Sequence, residues 1–201
     1  MALSAVMRPP VAAEPGAGVY NEKLGMWVFL GSEVMFFTAL IGAYLILRFA
    51  HPEGWRGHPN ETPLNITITA INTFLLICSS VTMVKAFASV QLGRQKALCR
   101  WLVATVLIGA TFVGIQVYEY RELIHHDFVP SAGIFGSTFY TMTGFHGFHV
   151  TMGVICMIFV TWRAFQGRYT PTDHRGVEVI GLYWHFVDLV WIILFTIVYL
   201  I

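Results

Sequence analysis

Glu33 is a single carboxylate within the first apolar run of this chain. The run begins at Leu24, so at 1.5 Å per residue Glu33 lies roughly 14 Å from its start, near the midplane of a bilayer. Its neighbours on the same helical face cannot pair with a carboxylate; they are Phe29, Leu30, Phe36 and Phe37. Glu33 must therefore find a partner on another helix, face a water-filled crevice or retain its proton. A structural hydrogen bond and a proton-linked or lipid-facing role both remain open.

Two histidines share one face of the fourth apolar run. His146 and His149 are three residues apart, and Gly144, Gly147 and Gly153 allow a neighbouring helix to approach closely. Histidines at this depth suggest two chemistries. They can form hydrogen bonds between helices, or they can clamp a haem together with another histidine such as His185.

The fifth run carries His185 and Asp188, again three residues apart, beside Trp184 and Trp191. A histidine and an aspartate on one face can neutralise each other inside lipid, so a structural pair is expected here. Glu119, near the outer end of the third run, belongs to a polar stripe on that helix. We therefore expect an intramembrane polar network of five side chains: Glu119, His146, His149, His185 and Asp188.

Other chemistries find no support in the sequence. It contains no nucleophile–base arrangement, no phosphate-binding loop and no metal-ligand spacing, so neither a catalytic residue nor a metal site is predicted. Nucleic-acid binding requires a concentrated positive field, and the formal net charge of this chain is only +1. No nucleic-acid partner is therefore expected.

The composition indicates that these side chains lie in a membrane. Hydrophobic residues make up 56% of the 201 positions, charged residues 11%, and the mean hydropathy is +0.66. A soluble domain carries about 25% charged residues. Five apolar runs reach the length of about 20 residues that a spanning helix needs. They cover about residues 24–47, 66–87, 98–118, 136–162 and 179–201.

The predicted fold class is all-α, an integral membrane bundle of five transmembrane helices, because backbone groups in lipid must be bonded within the segment. Residues 1–22, rich in Pro, Gly and Ala, are expected to form a flexible tail, and residues 23–201 the bundle. Nine Lys and Arg residues fall on the side of the tail and of the 2–3 and 4–5 loops, against three on the other side. This bias predicts a cytoplasmic N-terminus and a periplasmic C-terminus.

Six strings together resemble the subunit III family of haem-copper oxidases. They occur in the family's order and span most of the chain. They are Ser32–Thr38, Asn72-Thr73, Tyr118–Tyr120, Gly136–Tyr140, Gly144–Val150 and Tyr183–Trp191. The chain resembles the five-helix form of the family, without the first two helices of the seven-helix form.

The resemblance implies a role without redox chemistry in this chain. Haem and copper belong to partner subunits I and II. Subunit III packs mainly on subunit I, with subunit II and small subunits as further partners, retains phospholipids and supports proton uptake. The complex would reduce oxygen to water and move protons across the bacterial cytoplasmic membrane. Glu33 matches the family's buried, carbodiimide-reactive carboxylate. Arg163 and Arg168 fall where basic residues meet lipid headgroups.

The sequence is also compatible with two other interpretations. A membrane cytochrome b anchor would use His146, His149 and His185 as haem ligands. A subunit III relative associated with nitric oxide reductase would share most of the strings above. The electron donor, cytochrome c or quinol, is bound by other subunits and is not encoded in this chain.

Overall fold

Five long α-helices account for almost all of the chain that the computed structural model describes, which is residues 20–52 and 65–200. Each helix is long and apolar enough to cross a membrane, which confirms the predicted all-α class and the number of spans within these ranges. A π-helical turn, Thr196–Leu200, continues the last helix. The helices are α1 (Asn21–Ala50), α2 (Ile66–Gln91), α3 (Gln95–His125), α4 (Ile134–Phe165) and α5 (Arg175–Phe195).

The helices extend beyond the apolar runs at most ends. α1 begins at Asn21, so the last two residues of the predicted tail are helical. Tyr20 precedes the helix, and residues 1–19 of that predicted tail lie outside the described residues. α3 continues to His125, seven residues past the predicted end at Tyr118. Hydropathy marks the stretch inside hydrocarbon, whereas helical hydrogen bonding continues through the polar interface.

Helices α2 to α5 form a ring of four in which each packs on the next and α5 returns to α2. α1 lies outside this ring, against α4 and α5. Half of the residues in the most apolar stretch of the last span, which contains α5, are buried. In the most apolar stretch of α1 the buried share is 17%. α5 is therefore the central helix of the fold, and most of the surface of α1 faces outward.

The indole of Trp184 on α5 fills the centre of the ring and is 1% exposed. Its Nε1 donates a hydrogen bond of 2.9 Å to Ser79 Oγ on α2. Two glycines make room for the indole. A Cβ placed on Gly109 of α3 would lie 2.7 Å from the ring, and one on Gly153 of α4 would lie 3.1 Å from it.

Polar contacts hold the helix termini together at one end of the bundle. Lys23 Nζ near the start of α1 lies 2.6 Å from Glu178 Oε1 in the first turn of α5. Tyr20 OH donates to Glu178 Oε2 at 2.7 Å, and burial together with this hydrogen bond raises the pKa of Tyr20. Gln95 at the start of α3 donates to the backbone oxygen of Ala164 at the end of α4. The tail side, the 2–3 loop and the 4–5 loop therefore lie at the same end of the molecule.

Candidate functional site

Glu33 finds its partner on another helix. Its Oε2 lies 3.1 Å from Nε2 of His149 on α4, and both side chains are largely buried, 16% and 12% exposed. The other ring nitrogen of His149, Nδ1, lies 2.7 Å from the backbone oxygen of Phe145. A carbonyl oxygen only accepts hydrogen bonds, so Nδ1 carries a hydrogen.

This arrangement fixes how many protons the Glu33–His149 pair holds. With a hydrogen on Nδ1, a neutral ring presents a lone pair at Nε2, which a carboxylate oxygen would repel. The 3.1 Å contact therefore contains a proton. The pair is either an imidazolium with a carboxylate or a neutral imidazole with a carboxylic acid. Both forms have zero net charge, which lowers the cost of placing these groups inside a bilayer.

Aromatic side chains line the Glu33–His149 pair. The rings of Phe36 and Phe37 lie 6.4 and 5.1 Å from the imidazole of His149. Tyr183 on α5 donates from its hydroxyl to the backbone oxygen of His149 at 2.8 Å. The pair thus lies where α1, α4 and α5 meet.

His146, three residues from His149, occupies a different environment. It is completely buried, and its ring stacks on Trp191 with a centroid distance of 4.8 Å and contacts the ring of Phe112 edge-on at 6.2 Å. Neither ring nitrogen has a hydrogen-bond partner within the described part of the chain. The two histidines that share a helical face therefore lie in different places. His146 is in the core of the four-helix ring, and His149 is at the contact between α4 and α1.

His185 and Asp188 are joined through a third residue, Ser80 of α2. Ser80 Oγ lies 2.6 Å from Asp188 Oδ2 and 3.1 Å from His185 Nδ1. The direct pair expected from the sequence is replaced by this bridged unit, because both side chains point towards α2. Ser80 was missed by the sequence analysis, and the available signal was a Ser-Ser dipeptide inside an otherwise apolar run.

Glu119 makes its own contact nearer the other end of the bundle. Thr69 on α2 donates to Glu119 Oε1 at 2.5 Å. One turn earlier on α3, Gln116 donates to the backbone oxygen of Thr143 on α4 at 3.1 Å. The five predicted network residues therefore fall into four separate environments, each linking a different set of helices.

Arg163 and Arg168 are both exposed at the end of α4 that lies on the same side of the bundle as Lys23. The guanidinium of Arg163 lies 5.9 Å from the ring centre of Phe159, one turn earlier. Gly167 ends the helix with a φ of 70°, and Arg168 follows it. Both cations thus stand at the border between the apolar helix surface and the polar loop.

Within residues 20–52 and 65–200, no group of three or more His, Cys, Asp or Glu side chains has the arrangement to hold a metal ion. A haem clamp would need ring nitrogens free to ligate iron. Both nitrogens of His149 are engaged, and aromatic rings enclose His146. The hydrogen-bonded ionisable side chains instead connect helices; they are Glu33, Glu119, His149, His185 and Asp188.

These features define a class: a multi-pass helical membrane protein whose buried ionisable groups are arranged between helices. Comparison with known proteins specifies the family. The family model described as cytochrome c oxidase subunit III matches residues 17–201. Cytochrome c oxidase subunit 3 of Thermostichus vulcanus is 40% identical over 88% of this chain and 86% of its own length. The probable cytochrome c oxidase subunit 3 of Mycobacterium leprae is 42% identical over 89% and 87%.

The chain therefore belongs to the cytochrome c oxidase subunit III family, which confirms the resemblance seen in its sequence strings. It is a subunit of a haem-copper respiratory oxidase, and membership of such a complex implies partner subunits.

Proposed function

We propose that this chain is the non-redox subunit III of a terminal oxidase, that it packs on subunit I, and that it retains phospholipid and supports proton uptake. Haem and copper reside in subunits I and II. The complex reduces oxygen to water in the bacterial cytoplasmic membrane, with the N-terminus of this chain in the cytoplasm. The nine-to-three distribution of Lys and Arg supports that orientation.

The observation that carries the proton-linked part of this proposal is the Glu33–His149 contact. The pair holds one proton and is neutral whichever partner carries it. The proton can therefore shift between Oε2 and Nε2 without creating a net charge in the apolar interior. Such a group can tune proton supply or the contact between α1 and α4, while oxygen reduction takes place elsewhere.

Subunit assembly provides the test of this proposal. Affinity purification through a tag on this chain, after mild detergent extraction from native membranes, is expected to recover a larger haem-bearing subunit. The chain separated from that complex should show no haem absorption band. Recovery of a stable lone monomer would contradict the proposal. A haem band in the separated chain would favour the cytochrome b anchor, with His146, His149 and His185 as its ligands.

Replacing both Arg163 and Arg168 with Ala should reduce the anionic phospholipid that co-purifies with the complex. Each cation near an anionic membrane surface contributes about 1 kcal/mol of attraction. Oxygen reduction should continue, because the haem and copper centres belong to other subunits. Mass spectrometry of extracted lipid measures the effect.

Arg121→Ala is the matched control for the lipid experiment. Arg121 is exposed on α3 towards the opposite end of the bundle, so its loss should leave the anionic lipid content unchanged. An unchanged lipid content in the Arg163/Arg168 variant, or an equal loss in the Arg121 variant, would argue against a specific headgroup site.

A further inference from the structure

A cavity of about 190 Å³ lies between α2 and α5 in the half of the bundle that contains Lys23 and Glu178. A cavity of about 150 Å³ in a protein core binds benzene, so this volume accommodates one substituted six-membered ring. The cavity is open to the outside of the helix ring and its lining is mostly apolar. The lining residues are Met83, Val84, Phe87, Val177, Glu178, Gly181, Leu182 and His185.

Two polar side chains stand at opposite ends of the cavity. Glu178, at the membrane-surface end, is engaged by Lys23 at 2.6 Å and by Tyr20 at 2.7 Å. His185, at the deep end, is six residues beyond Val179, the start of the apolar run, and therefore about 9 Å into the hydrocarbon. This depth is about a third of the hydrocarbon core of about 30 Å. His185 is the side chain with which a ligand in the cavity could form a polar contact deep in the membrane.

The hydrogen bonds behind His185 determine which group it presents. Asp188, linked to it through Ser80, is only 6% exposed, so a net charge on the unit would be costly at this depth. The neutral unit contains either an imidazolium and a carboxylate or a neutral imidazole and a carboxylic acid.

A proton on Oδ1 of Asp188 would be a buried donor without a partner within the described residues, so the proton lies on the bridge through Ser80. Both neutral forms of this bridge leave the same group at Nε2 of His185. In the first form, Nδ1–H donates to Ser80 and Ser80 donates to Asp188. In the second form, Asp188 donates to Ser80 and Ser80 donates to Nδ1, so the ring hydrogen is on Nε2. The deep end of the cavity thus offers an N–H donor.

We propose that this cavity binds a hydrocarbon-soluble ring that carries a carbonyl acceptor, of the quinone headgroup type, with the carbonyl oxygen on Nε2–H of His185. The ring lies against Met83, Phe87 and Leu182, which line the cavity. The ester carbonyls of phospholipids stay at the membrane surface, about 9 Å from His185, which is too far for a hydrogen bond. The proposal concerns binding alone and is independent of the proton-linked role of Glu33.

Photolabelling of the intact oxidase complex in lipid nanodiscs tests the proposal. The probe is a benzoquinone whose decyl chain carries a photoreactive diazirine, and mass spectrometry locates the labelled peptides. Labelling is expected on the α2 and α5 segments that line the cavity. Excess decylbenzoquinone should compete for the site, whereas decylbenzene, which has no carbonyl, should not.

Substitutions at the deep end separate this site from a general apolar groove. His185→Leu should weaken competition by decylbenzoquinone about tenfold, the effect of losing one buried hydrogen bond. His185→Gln should retain binding, because its amide can still donate. Gly181→Leu should block labelling by filling the cavity floor, where a Cβ would lie 3.2 Å from Met83 Cε.

Thr141→Val is the matched control, because Thr141 lines a separate groove along α4 with Tyr140, Gly144, Phe145 and Phe148. It should leave labelling of α2 and α5 unchanged. Equal competition by decylbenzene would overturn the proposal, and so would labelling that is insensitive to both His185→Leu and Gly181→Leu. The competition experiments use the unaltered complex, so they remain decisive if a variant fails to assemble.

Discussion

Glu33→Gln is expected to abolish carbodiimide labelling of this chain while the assembled oxidase retains most of its oxygen-reducing turnover. Hydrophobic carbodiimides label a protonated carboxyl group in apolar surroundings, and the Gln side chain has no carboxyl group. The fold should tolerate the change, because Nδ1 of His149 is committed to the Phe145 carbonyl and its Nε2 can accept a hydrogen bond from the new amide. Labelled-peptide mass spectrometry and oxygen consumption measure the two effects.

Two further substitutions test the shared proton directly. Glu33→Leu should destabilise the contact between α1 and α4 by about 1–3 kcal/mol, because it leaves His149 Nε2 buried without a partner. His149→Leu should leave the Glu33 carboxyl among aromatic rings without its imidazole partner, so carbodiimide labelling should persist.

A proton-linked role of Glu33 predicts a limited effect on the activity of the oxidase. Proton pumping or turnover lifetime should change only partly in Glu33→Gln, since the redox chemistry belongs to other subunits. Complete loss of oxygen reduction in a fully assembled, haem-replete Glu33→Gln complex would show that this role is wrong. Loss of labelling in His149→Leu would contradict the shared proton.

Gly109→Ala is expected to cost about 1–3 kcal/mol of stability, the usual effect of overpacking a core. The added methyl would lie 2.7 and 2.9 Å from ring atoms of Trp184 and 3.0 Å from Val154. The indole cannot move away freely, because it lies only 3.1 Å from where a Cβ on Gly153 would stand and Ser79 accepts its hydrogen bond. The temperature at which the detergent-solubilised complex loses this subunit, followed by gel filtration, measures the cost.

Gly114→Ala on the same helix is the matched control for Gly109→Ala. A Cβ at Gly114 meets nothing within 4 Å, and alanine favours a helix over glycine by about 0.8–1.0 kcal/mol. Gly114→Ala should therefore be neutral or stabilising. Trp184→Phe combined with Gly109→Ala should cost less than the sum of the two single changes, since the smaller ring makes space. Equal behaviour of the two glycine variants would contradict the close packing at Trp184.

The sequence predicted the five spans well because membrane insertion is a local property of each segment. A run of about 20 apolar residues must be helical in lipid whatever its neighbours are. The helix ends were less predictable. α5 begins at Arg175, four residues before the apolar run, where Glu178 contacts Lys23 of α1. That polar contact between distant segments extends the helix, and hydropathy does not register it.

The residues of the site were visible in the sequence, but their partners were not. Glu33 and His149 are 116 positions apart, and no local pattern connects them. His146 and His149 share a helical face by spacing, yet residues three apart on a helix differ by about 60° in direction. That angle is enough to put His146 inside the ring of four helices and His149 against α1.

The sequence by itself determined what can be decided segment by segment: the membrane class, the number of spans, the family and the ionisable side chains at membrane depth. Tertiary structure alone decided which of these side chains meet. Pairing depends on how each helix is rotated about its axis and how deep it lies relative to its neighbours. Large core side chains, such as Trp184 between Gly109 and Gly153, determine this rotation and depth. Ser80 joins His185 to Asp188 because α2 and α5 pack side by side, a contact between residues more than 100 positions apart in the chain.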